Sequence, residues 1–157
     1  MRKVIANTTP LIALANTDRL EILHKLYGTI LVPQAVMDEI ISEPAKQRVR
    51  SSSWIKIEEI KDQAQKDYFR ARLHAGEVEV MILAREQKAD LVIMDDDAAK
   101  KTAKFLELNV TGTLGALLKA KKEGHLDKIE PVLNELICDG FFISDTVRRY
   151  ALREAGE

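Results

Sequence analysis

The chain has 157 residues, 46% of them apolar and 31% charged, and a net charge of −1. That mixture excludes a disordered chain, and the balance carries no overall basic signature of a nucleic-acid binder, although a cluster of acids would cancel a basic rim in the sum. Residues 1–157 fit one domain able to bury its own core. The lone Cys138 has no intramolecular disulfide partner and sits in an apolar run with Leu133, Leu136 and Ile137, as core filler would. No apolar run approaches the ~20 residues of a membrane helix, so the expectation is a cytoplasmic protein without a membrane partner.

Short β-branched runs alternate with helical spacing, the sign of parallel strands joined by crossover helices. Lys3 to Ala6 predicts the first strand, ending at Asn7. Thr9-Pro10 reads as an N-cap and first helical residue, with Leu11, Leu14 and Ala15 on the apolar face. Asp18 opens a second helix that Gly28 stops. Thr29 to Val32 predicts a second strand, and the helix after Pro33 carries Val36, Met37 and Ile40 on one face. Pro44 to Ser53, with Lys46, Arg48, Arg50 and three serines, reads as a loop. Trp54 to Ile57 alternates like an edge strand, Asp62 to Leu73 reads as a helix, and a longer helix spans Ala75 to Lys88. Leu91 to Met94 predicts a buried strand ending in Asp95-Asp96-Asp97. A helix to Leu108 and a strand from Asn109 to Thr111 follow. Gly112-Thr113 opens a helix that Gly124 ends. Two more helices follow, Lys128 to Asp139 and one begun by Ser144 and Asp145, with Phe141 to Ile143 between them as a short strand.

In open parallel sheets, ligands bind beyond the carboxyl ends of the strands. Asn7, Asp95 and Gly112-Thr113 each follow a strand directly, and Glu39 and Glu79 lie on helices able to lean over that edge. Oxygen donors of this kind suit Mg²⁺ or Mn²⁺. The helix of Glu79 is apolar almost all round, and a buried carboxylate there needs a partner. At ~100° per residue, Glu77 points ~200° away from Glu79, so the two do not easily share one ion. Glu77 reads instead as a first-turn acid stabilised by the helix dipole.

The segments Val4-Ile5-Ala6-Asn7-Thr8-Thr9-Pro10-Leu11-Ile12, Gly76-Glu77-Val78-Glu79-Val80-Met81-Ile82-Leu83-Ala84, Leu91-Val92-Ile93-Met94-Asp95-Asp96-Asp97 and Val110-Thr111-Gly112-Thr113-Leu114-Gly115 resemble, in order and spacing, the PIN-domain ribonucleases. The last segment is similar to the close of a little-characterised branch of that family. The resemblance implies a three-layer α/β/α fold around a mostly parallel sheet. It also implies an acidic Mg²⁺ or Mn²⁺ site at Asn7, Glu39, Glu79 and Asp95, with Asp97 as an auxiliary acid and Thr9 as the hydroxyl that orients the first ligand. It further implies hydrolysis of single-stranded RNA, an antitoxin partner where members act as toxins, and homodimers. Asn7 departs from the family pattern, which has Asp there; an amide still ligates a hard cation but removes one negative charge.

Each residue also has a structural reading. One of Asp95 to Asp97 caps the following helix, with Asp96 or Asp97 favoured for the cap and Asp95 for the ligand. Asn7 can be a turn residue, Thr9 an N-cap and Glu39 a solvated side chain. His24, His74 and His125 fit no metal spacing. Lys100, Lys101, Lys104, Lys119, Lys121 and Lys122 read as wet helix faces, some near enough to the acidic edge to hold phosphates. Two rival functions follow: the same fold as a disarmed module gripping RNA or protein, and phosphoryl transfer on another α/β fold. The second rival wants an acid where Asn7 stands.

Overall fold

The computed structural model describes residues 2–69 and 73–157. Five strands form one sheet: β1 (Val4–Ala6), β2 (Ile30–Val32), β3 (Ile55–Ile57), β4 (Leu91–Ile93) and β5 (Val110–Thr111). Their order is β3-β2-β1-β4-β5 and every pairing is parallel. Among the described residues the helices are α1 (Thr8–Asn16), α2 (Glu21–Tyr27), α3 (Gln34–Glu39), α4 (Ala45–Arg50), α5 (Lys66–Phe69), α6 (Ala75–Gln87), α7 (Asp97–Phe105), α8 (Thr113–Lys122), α9 (Glu130–Cys138) and α10 (Asp145–Glu154). The expected three-layer α/β/α arrangement is the one observed.

Position in the sheet follows from side-chain chemistry. Val4, Ile5 and Ala6 are wholly buried, as a strand with neighbours on both sides and helices on both faces requires. β3, with Lys56 and a half-exposed Ile57, lies at the sheet's edge, as the alternation of Trp54 to Ile57 predicts. From β1 the chain builds outward through β2 and β3, then returns to place β4 on the other side of β1. The β1–β4 seam is therefore the point where the strand order reverses, and Ala6 pairs there with Ile93.

Five local expectations are corrected, the first being Cys138, which is exposed rather than core filler. Thr9 is not the cap of α1: Asn7 holds that position with an extended backbone, and Thr8 is the first helical residue. Pro44 to Ser53 is not a loop, because Ala45 and Val49, one helical turn apart, both bury and draw the segment into α4. The helix expected over Asp62 to Leu73 is a 3₁₀ turn at Gln63–Gln65, capped by the Asp62 side chain, followed by α5; residues 70–72 of that expectation lie outside the described residues. Phe141 to Ile143 forms no strand, and Phe142 is almost fully exposed.

The helix α6 buries Val78, Val80, Met81, Ile82, Leu83 and Ala84, so it is covered on nearly every side. It packs most extensively on α3 and also meets β1. Two carboxylates clasp the α3–α6 pair reciprocally. Glu39, at the end of α3, accepts the Gly76 N–H at 2.6 Å, and Glu79 of α6 accepts the Ala35 N–H in the first turn of α3 at 3.1 Å. Each carboxylate thus meets the positive end of the other helix. Gly76 is required for this approach, since a Cβ there would collide with Glu39 Oε1.

Candidate functional site

Asn7 follows β1, and its N–H donates to the Ile93 carbonyl of β4 at 2.8 Å. The residue is only 5% exposed, and its Oδ1 is buried without a hydrogen-bond partner among the described residues. The local sequence accounts for this. An Asn at the N-cap normally accepts from the second or third helical N–H, and the third helical residue here is Pro10, which has none. The Thr9 N–H, the second of the helix, is not taken up by the amide oxygen either, which lies at the seam where the strand order reverses.

The three aspartates after β4 divide the work. Asp96 caps α7 by accepting the Ala99 N–H at 2.9 Å, as expected of one of the trio. Asp97 is the exposed first residue of α7. Asp95 turns towards β5 and α8. It accepts the Thr113 N–H at 2.8 Å on Oδ1 and the Thr113 hydroxyl at 2.7 Å on Oδ2. A Cβ at Gly112 would lie 2.7 Å from Asp95 Oδ1 and 3.1 Å from Lys100 Nζ, so the glycine keeps an open notch between an acid and a base.

The two glutamates are held differently: Glu77 takes the first-turn place expected of it, in the capping box of α6, and Glu79 lies between α3 and Lys66. Glu79 is taken up in the α3 clasp and pairs with Lys66 at 3.1 Å, its side chain 12% exposed. Its charge is thus compensated by a cation and a helix N-terminus within the protein. Glu77 is 5% exposed and accepts the N–H of His74, the cap of α6, at 3.0 Å. Burial pushes its carboxyl above the usual range; the His74 N–H restrains the shift, while the negative charges of Asp96 and Glu39 add to it. Glu77 is thus the buried acid whose field is shared with Asp96 and Glu39. The signal for it in the sequence was Gly76-Glu77, a glycine that admits Glu39 beside an acid in the first turn.

Glu39 also accepts the Thr8 hydroxyl at 3.2 Å, which links α3 to the residue after Asn7. Thr9 points elsewhere, into a groove with Ile12, Asn16, Leu136 and Phe141. Asn7, Thr8, Glu39, Glu77 and Asp96 therefore belong to one polar region beyond β1 and β4. Glu79 is held by the Ala35 N–H and Lys66, Thr9 lines the groove named above, and Asp97 is exposed. Among the described residues, no group of three or more His, Cys, Asp or Glu side chains is gathered closely enough to hold a metal ion as it stands.

A doubly wound parallel sheet with polar residues at its switch point defines the class of α/β proteins that bind ligands beyond the strand ends. The family is narrower: the PIN-domain family matches residues 3–157, and the chain belongs to it. Its fold is nuclease-like. No curated protein is similar enough to the chain to count as a relative. Among the described residues, no helix is long and apolar enough to cross a membrane.

Proposed function

We propose that the protein is a metal-dependent ribonuclease of the PIN type that hydrolyses phosphodiester bonds of single-stranded RNA. The observation that carries the reading is Asn7 Oδ1, a buried acceptor without a hydrogen-bond partner among the described residues, at the switch point where the negative fields of Asp96 and Glu39 reach the buried Glu77. An orphaned acceptor of this kind costs about 1–3 kcal/mol. A group of this kind calls for a partner, and a bound ion is one that suits an amide oxygen.

The donors fit a hard divalent cation, since all are oxygens and each carboxylate has lone pairs beyond its present hydrogen bonds. Asn7, Glu39 and Asp95 would hold it, with Glu77 in the place first expected of Glu79, and Asp96 and Asp97 as outer acids. When bound, Mg²⁺ or Mn²⁺ supplies an activated water and neutralises charge on the phosphate. The chain's own contribution is placement. Gly76 N–H and Thr8 fix Glu39, Thr113 fixes Asp95, and the His74 N–H fixes Glu77. Asn7 offers a dipole where an aspartate would offer a full charge. That amide favours a second reading, a disarmed module that grips RNA or a partner protein such as an antitoxin without cutting. A toxin role and a homodimer belong to the first reading.

The test is cleavage of a fluorescent single-stranded RNA with Mn²⁺, comparing the natural chain, Asn7→Asp, Glu77→Gln and Glu79→Gln. The nuclease reading expects cleavage by the natural chain, a faster rate in Asn7→Asp, and loss of activity in Glu77→Gln well beyond that in Glu79→Gln. Cleavage confined to Asn7→Asp selects the disarmed module. Absence of cleavage and of Mn²⁺ binding in the natural chain and in Asn7→Asp ends the nuclease assignment.

A further inference from the structure

The notch at Gly112 opens into a groove of about 340 Å³ between α7, α8 and α10. Lys100 and Lys104, one turn apart on α7, form one wall; Leu118 of α8 lies in the floor; Val147 and Tyr150 of α10 form the far wall. Among the described residues, neither lysine ammonium is held in a hydrogen bond or ion pair. Tyr150 is 57% exposed, and among the described residues its ring stacks on no other aromatic ring and carries no cation over its face. Lys100 Nζ and Asp95 Oδ1 both lie about 3 Å from the point a Gly112 Cβ would occupy, so the groove is continuous with the acidic edge.

We infer that this groove carries the RNA strand away from the candidate site, with Lys100 and Lys104 on successive phosphates and Tyr150 as a stacking platform for a base. The inference rests on the ribonuclease reading and deepens it by placing the substrate. Charge complementarity argues for it. A polymer with an anion at every repeat can meet the acids through a bound cation at one end and the two ammonium groups farther along. An exposed aromatic face suits a single strand, because every base has a π-face and an unpaired base is free to stack. A duplex keeps its bases stacked internally and makes no use of Tyr150. Tyr150 and Val147 come from α10, which carries none of the candidate acids, so the stacking role is separable from the cleavage chemistry.

The test is binding of a short fluorescent oligouridylate in EDTA, where no cleavage occurs, over a series of salt concentrations. Tyr150→Ala should weaken binding about tenfold, while Tyr150→Phe stays within about twofold of the natural chain. The double variant Lys100→Gln/Lys104→Gln should lower the slope of log K against log salt by about 1.4, near 0.7 for each phosphate released in single strands. Unchanged affinity and slope in all these variants would place the strand elsewhere, and failure of the natural chain to bind the oligouridylate would also overturn the inference. Displacement of the RNA by equimolar oligoglutamate would reassign the groove to an acidic peptide. The Mn²⁺ cleavage assay keeps the two readings apart. Cleavage without any effect of the groove variants on binding rejects the groove and leaves the nuclease standing. Groove-dependent binding without cleavage rejects the nuclease and leaves an RNA-binding groove.

Discussion

The α3–α6 clasp and the β1–β4 edge share Glu39 and use similar residue types, yet they satisfy them to different degrees. In the clasp, Glu39 and Glu79 each meet a helix N-terminus, and Glu79 has Lys66 besides. At the edge, Asn7 Oδ1 has no partner among the described residues, and Glu77, with the His74 N–H as its hydrogen-bond donor, is buried within the fields of two other acids. The first arrangement holds helices together, while the second weakens the free protein at a place where a ligand would relieve the cost. Two glutamates separated by a single residue therefore do different work, and the difference lies in what each one faces.

The largest expected effect in the folded protein alone is at the clasp. Glu79→Ala strands the Ala35 N–H and leaves Lys66 unpaired, and should cost about 2 kcal/mol in urea unfolding. An unchanged unfolding midpoint would mean that the clasp is not a source of stability. Glu77→Gln should act in the opposite direction and more weakly. The folded pKa of Glu77 is raised, so its contribution to stability is present below the ordinary glutamate range and lost as pH rises through the raised value. The glutamine variant escapes that loss while keeping an acceptor for the His74 N–H. It should melt above the natural chain near neutral pH, and the gap should close in acid. A gap that grows in acid would reverse the sign assigned to Glu77. The smallest effect is expected at Asn7. An N-cap Asn→Ala usually costs about 1 kcal/mol, but Asn7 makes no side-chain cap bond, so Asn7→Ala should cost no more than about 0.5 kcal/mol. A loss of the usual size would show that Oδ1 is satisfied in solution.

Much of this was legible from residue order. The apolar runs before Asn7 and Asp95 mark the two central strands, and the alternation of Trp54 to Ile57 marks an edge. The aspartate trio correctly supplies a helix cap. The first-turn place of Glu77 was legible, but the partners of Glu79 were not, because α6 is apolar nearly all round and its pattern names no solvent side from which to count. What distinguishes them is Lys66 and the start of α3 on one side and Asp96 on the other, and these are partners distant in the chain. Thr9 was preferred as the cap because Thr-Pro is a common helix start. Placing the proline third rather than first moves the cap to Asn7. The α4 segment was hidden by its serines and arginines, although Ala45 and Val49 already carry a one-turn apolar repeat.

The sheet order has a further consequence, in the entropy of the chain. Lys3 and Asp90, whose hydrogen bond ties the start of β1 to the start of β4, are 87 positions apart, whereas β1 meets β2 across little more than a quarter of that span. Closing the longer loop costs about 1 kcal/mol more than closing the shorter one. The contacts that repay it belong to the seam itself: the Lys3–Asp90 bond, the paired strands and the Asn7 N–H on Ile93. The candidate site thus sits on the joint of the sheet with the greater closure debt, and a cation bridging residues after β1 and after β4 would act as a cross-link between two distant stretches of the chain.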